Sequence, residues 1–155
     1  MERFSSFLKN VHNGELQKIR FQLTHQLINF GVITRECFSI DSSPIPDLVK
    51  ENNLKTNLRS RFSKTCIPKG SPDACLGSMV IYLKPNEKQT LCFWSFRDHV
   101  VIDAKAELLL WQIIKLANVH EPVIFLPIFK LIQREFHLSI KAVMGDAIYD
   151  NREVV

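Results

Sequence analysis

LCFWSFRDHVVIDAKAELLLWQIIKL, residues 91–116, decides the fold. Its first half, Leu91–Asp103, is dense in aromatic and β-branched residues. It reads as a strand with Trp94, Phe96, Val100 and Ile102 on one side. Ala104-Lys105-Ala106 turns the chain back, and Leu108–Leu116 is a second strand, so the stretch is a hairpin.

Downstream, Asn118–Pro122 reads as a connector and Ile124–Phe136 as an amphipathic helix. Ile124, Ile128, Leu131, Ile132 and Phe136 share one face, and Pro127 fits only within a first turn. Ile140–Met144 is nearly continuous in apolar residues, the pattern of a strand buried on both faces in a parallel sheet; it stops at Gly145-Asp146. Asp150-Asn151-Arg152-Glu153 has an acid at a cap position and a Glu three residues on, which is a helix start. Only two residues follow, so the sequence is expected to stop in the middle of a fold.

Upstream, Pro46 to about Lys88 shows little periodicity and is punctuated by Pro68, Gly70, Pro72, Gly77 and Pro85, which predicts a long loop or inserted arm. Glu36–Asp41 alternates, with Phe38 and Ile40 on the apolar side. This strand is expected to end at Ser42-Ser43-Pro44. Residues 15–30 carry a helical stripe of Leu16, Ile19, Leu23, Leu27 and Phe30, with Phe21 off it, Asn13 as the cap and Gly31 as the stop.

Composition narrows the class. A chain of 155 residues is the size of one domain, and 46% hydrophobic with 23% charged residues excludes a wholly disordered chain. The apolar runs are too short to span a membrane, and Met1-Glu2-Arg3-Phe4 opens no secretory signal. Cys37, Cys66, Cys75 and Cys92 form no C-x-x-C pair and have no His at zinc-finger spacing, so they read as reduced thiols in a cytoplasmic protein. The net charge of +4 is local: Lys50, Lys55, Arg59, Arg61, Lys64 and Lys69 face one acid, Glu51, within Lys50–Lys69. Such a segment suits a phosphate backbone, and equally a solvated loop.

Two acids stand at the ends of the first and fourth predicted strands, Asp41 and Asp146. If those strands are parallel neighbours, both carboxylates emerge at the carboxyl edge of the sheet, where open α/β sheets place ligands. Adjacent carboxylates repel and are relieved by a bound cation; oxygen-only ligands suit Mg²⁺ or Mn²⁺. Taken singly, each Asp is an ordinary turn residue.

Several motifs in this order carry a resemblance over roughly residues 15–155. Phe93-Trp94-Ser95-Phe96-Arg97-Asp98-His99-Val100-Val101-Ile102-Asp103-Ala104, Leu109-Leu110-Trp111 and Ala117-Asn118-Val119-His120-Glu121 resemble the central block of bacterial insertion-sequence transposases of the DDE type. Gly145-Asp146-Ala147-Ile148-Tyr149-Asp150 is similar to the family's G-D-x-x-Y-D element. Phe38-Ser39-Ile40-Asp41-Ser42-Ser43 resembles its first-acid strand, and Ser71-Pro72-Asp73-Ala74-Cys75-Leu76-Gly77 a segment ahead of its second strand.

The resemblance implies an α/β, RNase H-like mixed sheet of strand, hairpin, helix and parallel strand. Residues 1–34 would be an N-terminal helical segment. Residues 35–155 would be a C-terminally incomplete catalytic domain with the basic loop at about 46–88. It implies DNA strand cleavage and transfer, with Asp41 and Asp146 as catalytic, metal-holding acids for Mg²⁺ or Mn²⁺. DNA, as transposon ends and target, is the implied partner; on charge alone, Lys55, Arg59, Arg61, Lys64 and Lys69 are the candidate DNA-binding residues. The location would be bacterial cytoplasm, at the nucleoid when on DNA. Uncovered sheet surface allows a homodimer, and no membrane partner is implied.

The departures are a missing third acid, the family's Glu on a later helix, and a missing Gly near Ser95. The two-metal site is therefore expected only in the complete domain, and little activity from this chain alone. A non-catalytic DNA-binding product and a decayed relic are the alternatives. Asp98, Asp103 and Glu107 read as exposed turn acids, His99 as sheet packing before DNA contact, Trp94 and Trp111 as sheet-face packing, and His120-Glu121 as part of the connector.

Overall fold

The computed structural model describes residues 12–55, 62–63, 67–119 and 121–146. In chain order the elements are helix α1 (Asn13–Asn29), strand β1 (Cys37–Pro46), a 3₁₀ turn (Lys50–Asn52), and strands β2 (Cys75–Lys84), β3 (Glu87–Asp103) and β4 (Leu109–Leu116). Helix α2 (Glu121–Phe136) and strand β5 (Ala142–Met144) follow. Among the described residues the strands form one mixed sheet, ordered β2-β3-β1-β5, with β4 also on β3.

β3 organises the sheet. Its C-terminal half lies between β1 and β4, antiparallel to both, and its N-terminal half pairs with β2. Since β1 occupies one edge of β3, β2 and β4 share the other. The long aperiodic region therefore holds a strand: Cys75–Lys84 is β2, and the expected loop over 46–88 is corrected there. The breakers Pro72 and Pro85 sit at its flanks, while the run Met79–Leu83 inside it is apolar.

One face of the sheet carries the main core. Phe38 and Ile40 of β1 and Val101 of β3 pack with Ile28 of α1 and Ile124, Phe125, Ile128, Phe129, Ile132 and Phe136 of α2. On β3 it is therefore the His99-Val101-Asp103 row that faces the helices. The row expected to be apolar, Trp94, Phe96, Val100 and Ile102, lies on the opposite face. There Trp94 is buried in a second cluster with Val49 and Ala74.

Helix α1 also turns a different flank inward. Thr24 and Ile28 are buried, and the off-stripe Phe21 lies 5.2 Å from Trp111 and 5.7 Å from Phe136 between ring centroids. Ile19, Leu23 and Phe30 of the expected stripe are exposed. Spacing defines a stripe but not the flank that meets the sheet; aromatic packing on Trp111 selects it. The N-cap is His12, whose Nδ1 accepts from the Gly14 amide, and not Asn13. The predicted stop is observed. Gly31 is left-handed (φ 71°), and the Gly31 and Val32 amides donate back to Ile28 and Leu27, a Schellman ending that favours glycine.

Three further corrections have simple causes. β1 does not end at Ser42-Ser43-Pro44 but continues to Pro46, with Pro44 opposite Arg97. Past Ser39 it has a partner strand on one side only among the described residues, where proline is tolerated. α2 begins at Glu121, inside the expected connector, so Pro127 sits in its second turn; the turn before it is exposed at Val123, and solvent can hydrate the carbonyl that loses its donor. β5 is exposed at all three residues rather than buried on both faces, because β1 alone pairs with it among the described residues.

Gly77 marks a close approach. A Cβ there would stand 2.7 Å from Ser95 Oγ and 3.0 Å from the Ala117 side chain. Gly77→Ala is expected to destabilise the fold by about 1–3 kcal/mol through overpacking. A urea melt matching the parent would refute the contact.

Candidate metal and nucleic-acid site

β1 and β5 are parallel, with Cys37 opposite Ala142, Phe38 opposite Val143 and Ser39 opposite Met144. Carried on by two residues, the same offset brings Asp41 level with Asp146. The ladder itself ends at Ser39 and Met144, so the two acids lie just beyond it. Both are exposed. Asp41 is inside β1 rather than at its end, because the strand runs on to Pro46. Its side chain alternates with Phe38 and Ile40, so it lies on the face away from the helices, opposite Val100. Asp41 Oδ1 accepts from the Ser42 amide at 2.7 Å, which orients the carboxylate.

A third acid shares this face. Asp98 is no turn residue: it sits mid-strand in β3, half-buried, opposite Ser43 and thus one row from Asp41. Gln112 Nε2 donates to its Oδ2 at 2.7 Å, while Oδ1 is buried without a hydrogen-bond partner. Strand alternation from Asp41 through its partner Val100 would have revealed this acid. Among the described residues no group of three or more His, Cys, Asp and Glu is placed to hold a metal ion.

Of the basic residues, Lys55 and Lys69 are exposed. Arg59, Arg61 and Lys64 lie outside the described residues, as do Tyr149, Asp150 and Glu153. Cys37, Cys75 and Cys92 are free thiols.

The helix-covered face holds a separate polar cluster. Glu121, at the start of α2, is buried, ion-paired with Arg97 of β3, and accepts from Ser42 Oγ at 2.6 Å. His99 is wholly buried beside it, with neither ring nitrogen hydrogen-bonded. That burial leaves no His99 surface for DNA. Burial pushes the His99 imidazole below its usual range; Glu121 and Asp98 oppose the shift, and Arg97 and Lys115 add to it. A groove of about 340 Å³, lined by Trp111, Ile113, Lys115, Ile124, Pro127 and Leu131, also opens on this helix side.

Comparison with protein-family models, curated proteins and solved structures finds no match for this chain. Its site is therefore defined by geometry and motifs. No helix among the described residues is long and apolar enough to cross a membrane.

Proposed function

We propose that the chain is part of the catalytic core of a DDE-type transposase, acting on DNA through a divalent-cation site at Asp41 and Asp146. One observation carries the reading: the parallel β1–β5 register, whose continuation makes Asp41 and Asp146 counterparts at one edge. The strand order β4-β3-β1-β5, with β1 antiparallel to β3 and parallel to β5, supports an RNase H-like arrangement.

Two exposed carboxylates fit Mg²⁺ or Mn²⁺, which commonly take one or two carboxylates and complete their shell with water and phosphate oxygens. The bound cation supplies Lewis-acid polarisation of a phosphodiester. The chain's own part is to hold that charge. Asp41 is fixed by the β1 ladder and the Ser42 amide, and Asp146 follows β5. The segment containing Lys55, Arg59, Arg61, Lys64 and Lys69 supplies cations for the DNA backbone. The family's chemistry needs a third acid; since no three-ligand group occurs among the described residues, DNA binding without cleavage is the second reading.

Calorimetric titration with Mn²⁺ tests the site. Asp41→Ala and Asp146→Ala are each expected to weaken binding more than about tenfold. Binding left intact by both changes removes the assignment. Loss in only one shows that the two acids do not share an ion.

A further inference from the structure

Between β1 and β2 the chain forms an arm, and its described parts are anchored on one residue, Trp94 of β3. Val49, Ala74 and Trp94 form a buried cluster against which Phe62 packs, so the arm meets Trp94 near its start, its middle and its end. The two ends also touch: a Cβ on Gly70 would stand 3.5 Å from Val49 Cγ1. Asn52 locks the start. The β1–β3 ladder ends with Pro46 opposite Ser95, and the Asp47 amide still donates to the Trp94 carbonyl. Beyond that bond the Asn52 carboxamide continues the ladder. Its Oδ1 accepts from the Trp94 amide, and its Nδ2 donates to the carbonyls of Asp47 and Trp94, each at 2.7 Å. Fixing a loop in advance lowers the entropy lost when it binds.

The arm covers the face of the sheet away from the helices. Trp94 shares that face with Phe96, Asp98 and Val100, and Val100 is opposite Asp41. From Trp94 to Val100 along the strand is roughly 20 Å, at about 3.3 Å per residue. Phosphates of one DNA strand are about 3.4 Å apart along the duplex axis, so roughly six base pairs cover the same span. Lys50, Lys55 and Lys69 of the arm are exposed. We propose that this face of the sheet is the DNA-facing surface, and that Asn52 is the positioning residue that holds the arm's cations on it, about six base pairs from Asp41. The inference rests on the DNA reading above and adds to it a face, a direction along β3 and a residue outside the charged set.

Binding of the full chain to a labelled random-sequence duplex, followed by fluorescence anisotropy between about 50 and 200 mM salt, tests this. Each phosphate neutralised adds about −0.9 to the slope of log K against log salt. Lys55→Gln is expected to make the parent slope shallower by about one. Asn52→Ala is expected to make it shallower by about one to two, and Lys55→Gln added to Asn52→Ala to change it no further. A variant that had merely lost folded protein would bind less at every salt concentration, with the parent's slope. Phe62→Ala removes a separate anchor and is expected to act in the same direction, so the test does not depend on Asn52→Ala folding. A parent that binds, with a slope left unchanged by Asn52→Ala and Phe62→Ala, overturns the proposal and leaves the DNA reading standing. Additive effects of Asn52→Ala and Lys55→Gln overturn it in the same way. A parent that binds no DNA at about 50 mM salt overturns both.

Discussion

Asp103→Ala is expected to cost about 3–5 kcal/mol, a large part of the 5–15 kcal/mol that holds a domain together. The carboxylate is fully buried and accepts four hydrogen bonds. The Thr34 amide and hydroxyl donate to Oδ2, both at 2.9 Å; the Lys105 and Ala106 amides donate to Oδ1 at 3.0 and 2.7 Å. One side chain therefore ties the segment leading into β1 to the β3–β4 turn. Truncation leaves three amides and a hydroxyl without their acceptor. Burial alone would raise the Asp103 carboxyl, but the bonds from Ala106, Thr34 and Lys105 outweigh it and hold it below the usual range. A carboxyl lowered in the fold stabilises it above the unfolded value, about pH 3.9, and that support is lost as pH falls below it. Thermal melts of parent and variant should thus differ widely at pH 7 and converge in acid. A variant within 1 kcal/mol of the parent at pH 7, on the order of experimental error for such comparisons, would refute the role.

Arg97→Ala is expected to cost a comparable sum, about 3–5 kcal/mol, because among the described residues it leaves the buried Glu121 with Ser42 alone. Replacing both ions, as in Arg97→Met with Glu121→Leu, should recover most of the loss, since well-packed apolar groups can match a buried ion pair. A double variant no better than Arg97→Ala would show that the pair is needed for more than mutual neutralisation. His99 gives the cluster a pH dependence. Its folded value lies below its ordinary one, so its contribution is intact above about pH 6.5 and declines as pH falls from there. His99→Leu removes two unpartnered ring nitrogens and should flatten that decline without loss of stability at neutral pH.

The hairpin was legible because aromatic and β-branched residues alternate through Leu91–Asp103 and a short turn follows. Helices were legible from periodicity, and the Gly31 stop from the need for a left-handed residue. The parallel placement of β1 and β5 was foreseen only as a condition on topology, and the register now meets it. Orientation was harder. Asp103 resembles any turn acid in sequence; its burial depends on Thr34, which is remote in the chain. Phe21 looked like a flaw in α1 because its partners, Trp111 and Phe136, come from other elements. β2 is hard to see in sequence because breakers surround it and its partner strand follows directly across Pro85-Asn86. Asp98 falls within the strand that the sequence itself marks, Leu91–Asp103; its residue type suggests a turn, and the partner that steadies it, Gln112, comes from β4.

The pairing of β1 with β5 has a consequence in time. Residues 37–39 and 142–144 meet across most of the chain, whereas β3 and β4 meet across a tight turn. Contacts this distant form late, after local ones have lowered the entropy of closing the loop. At ribosomal speeds of about 5–20 residues per second, the free edge of β1 waits roughly 5–20 s for its partner to be made. Throughout that interval Asp41 has no counterpart. Any ion-binding ability that depends on both acids can arise only once β5 has been made.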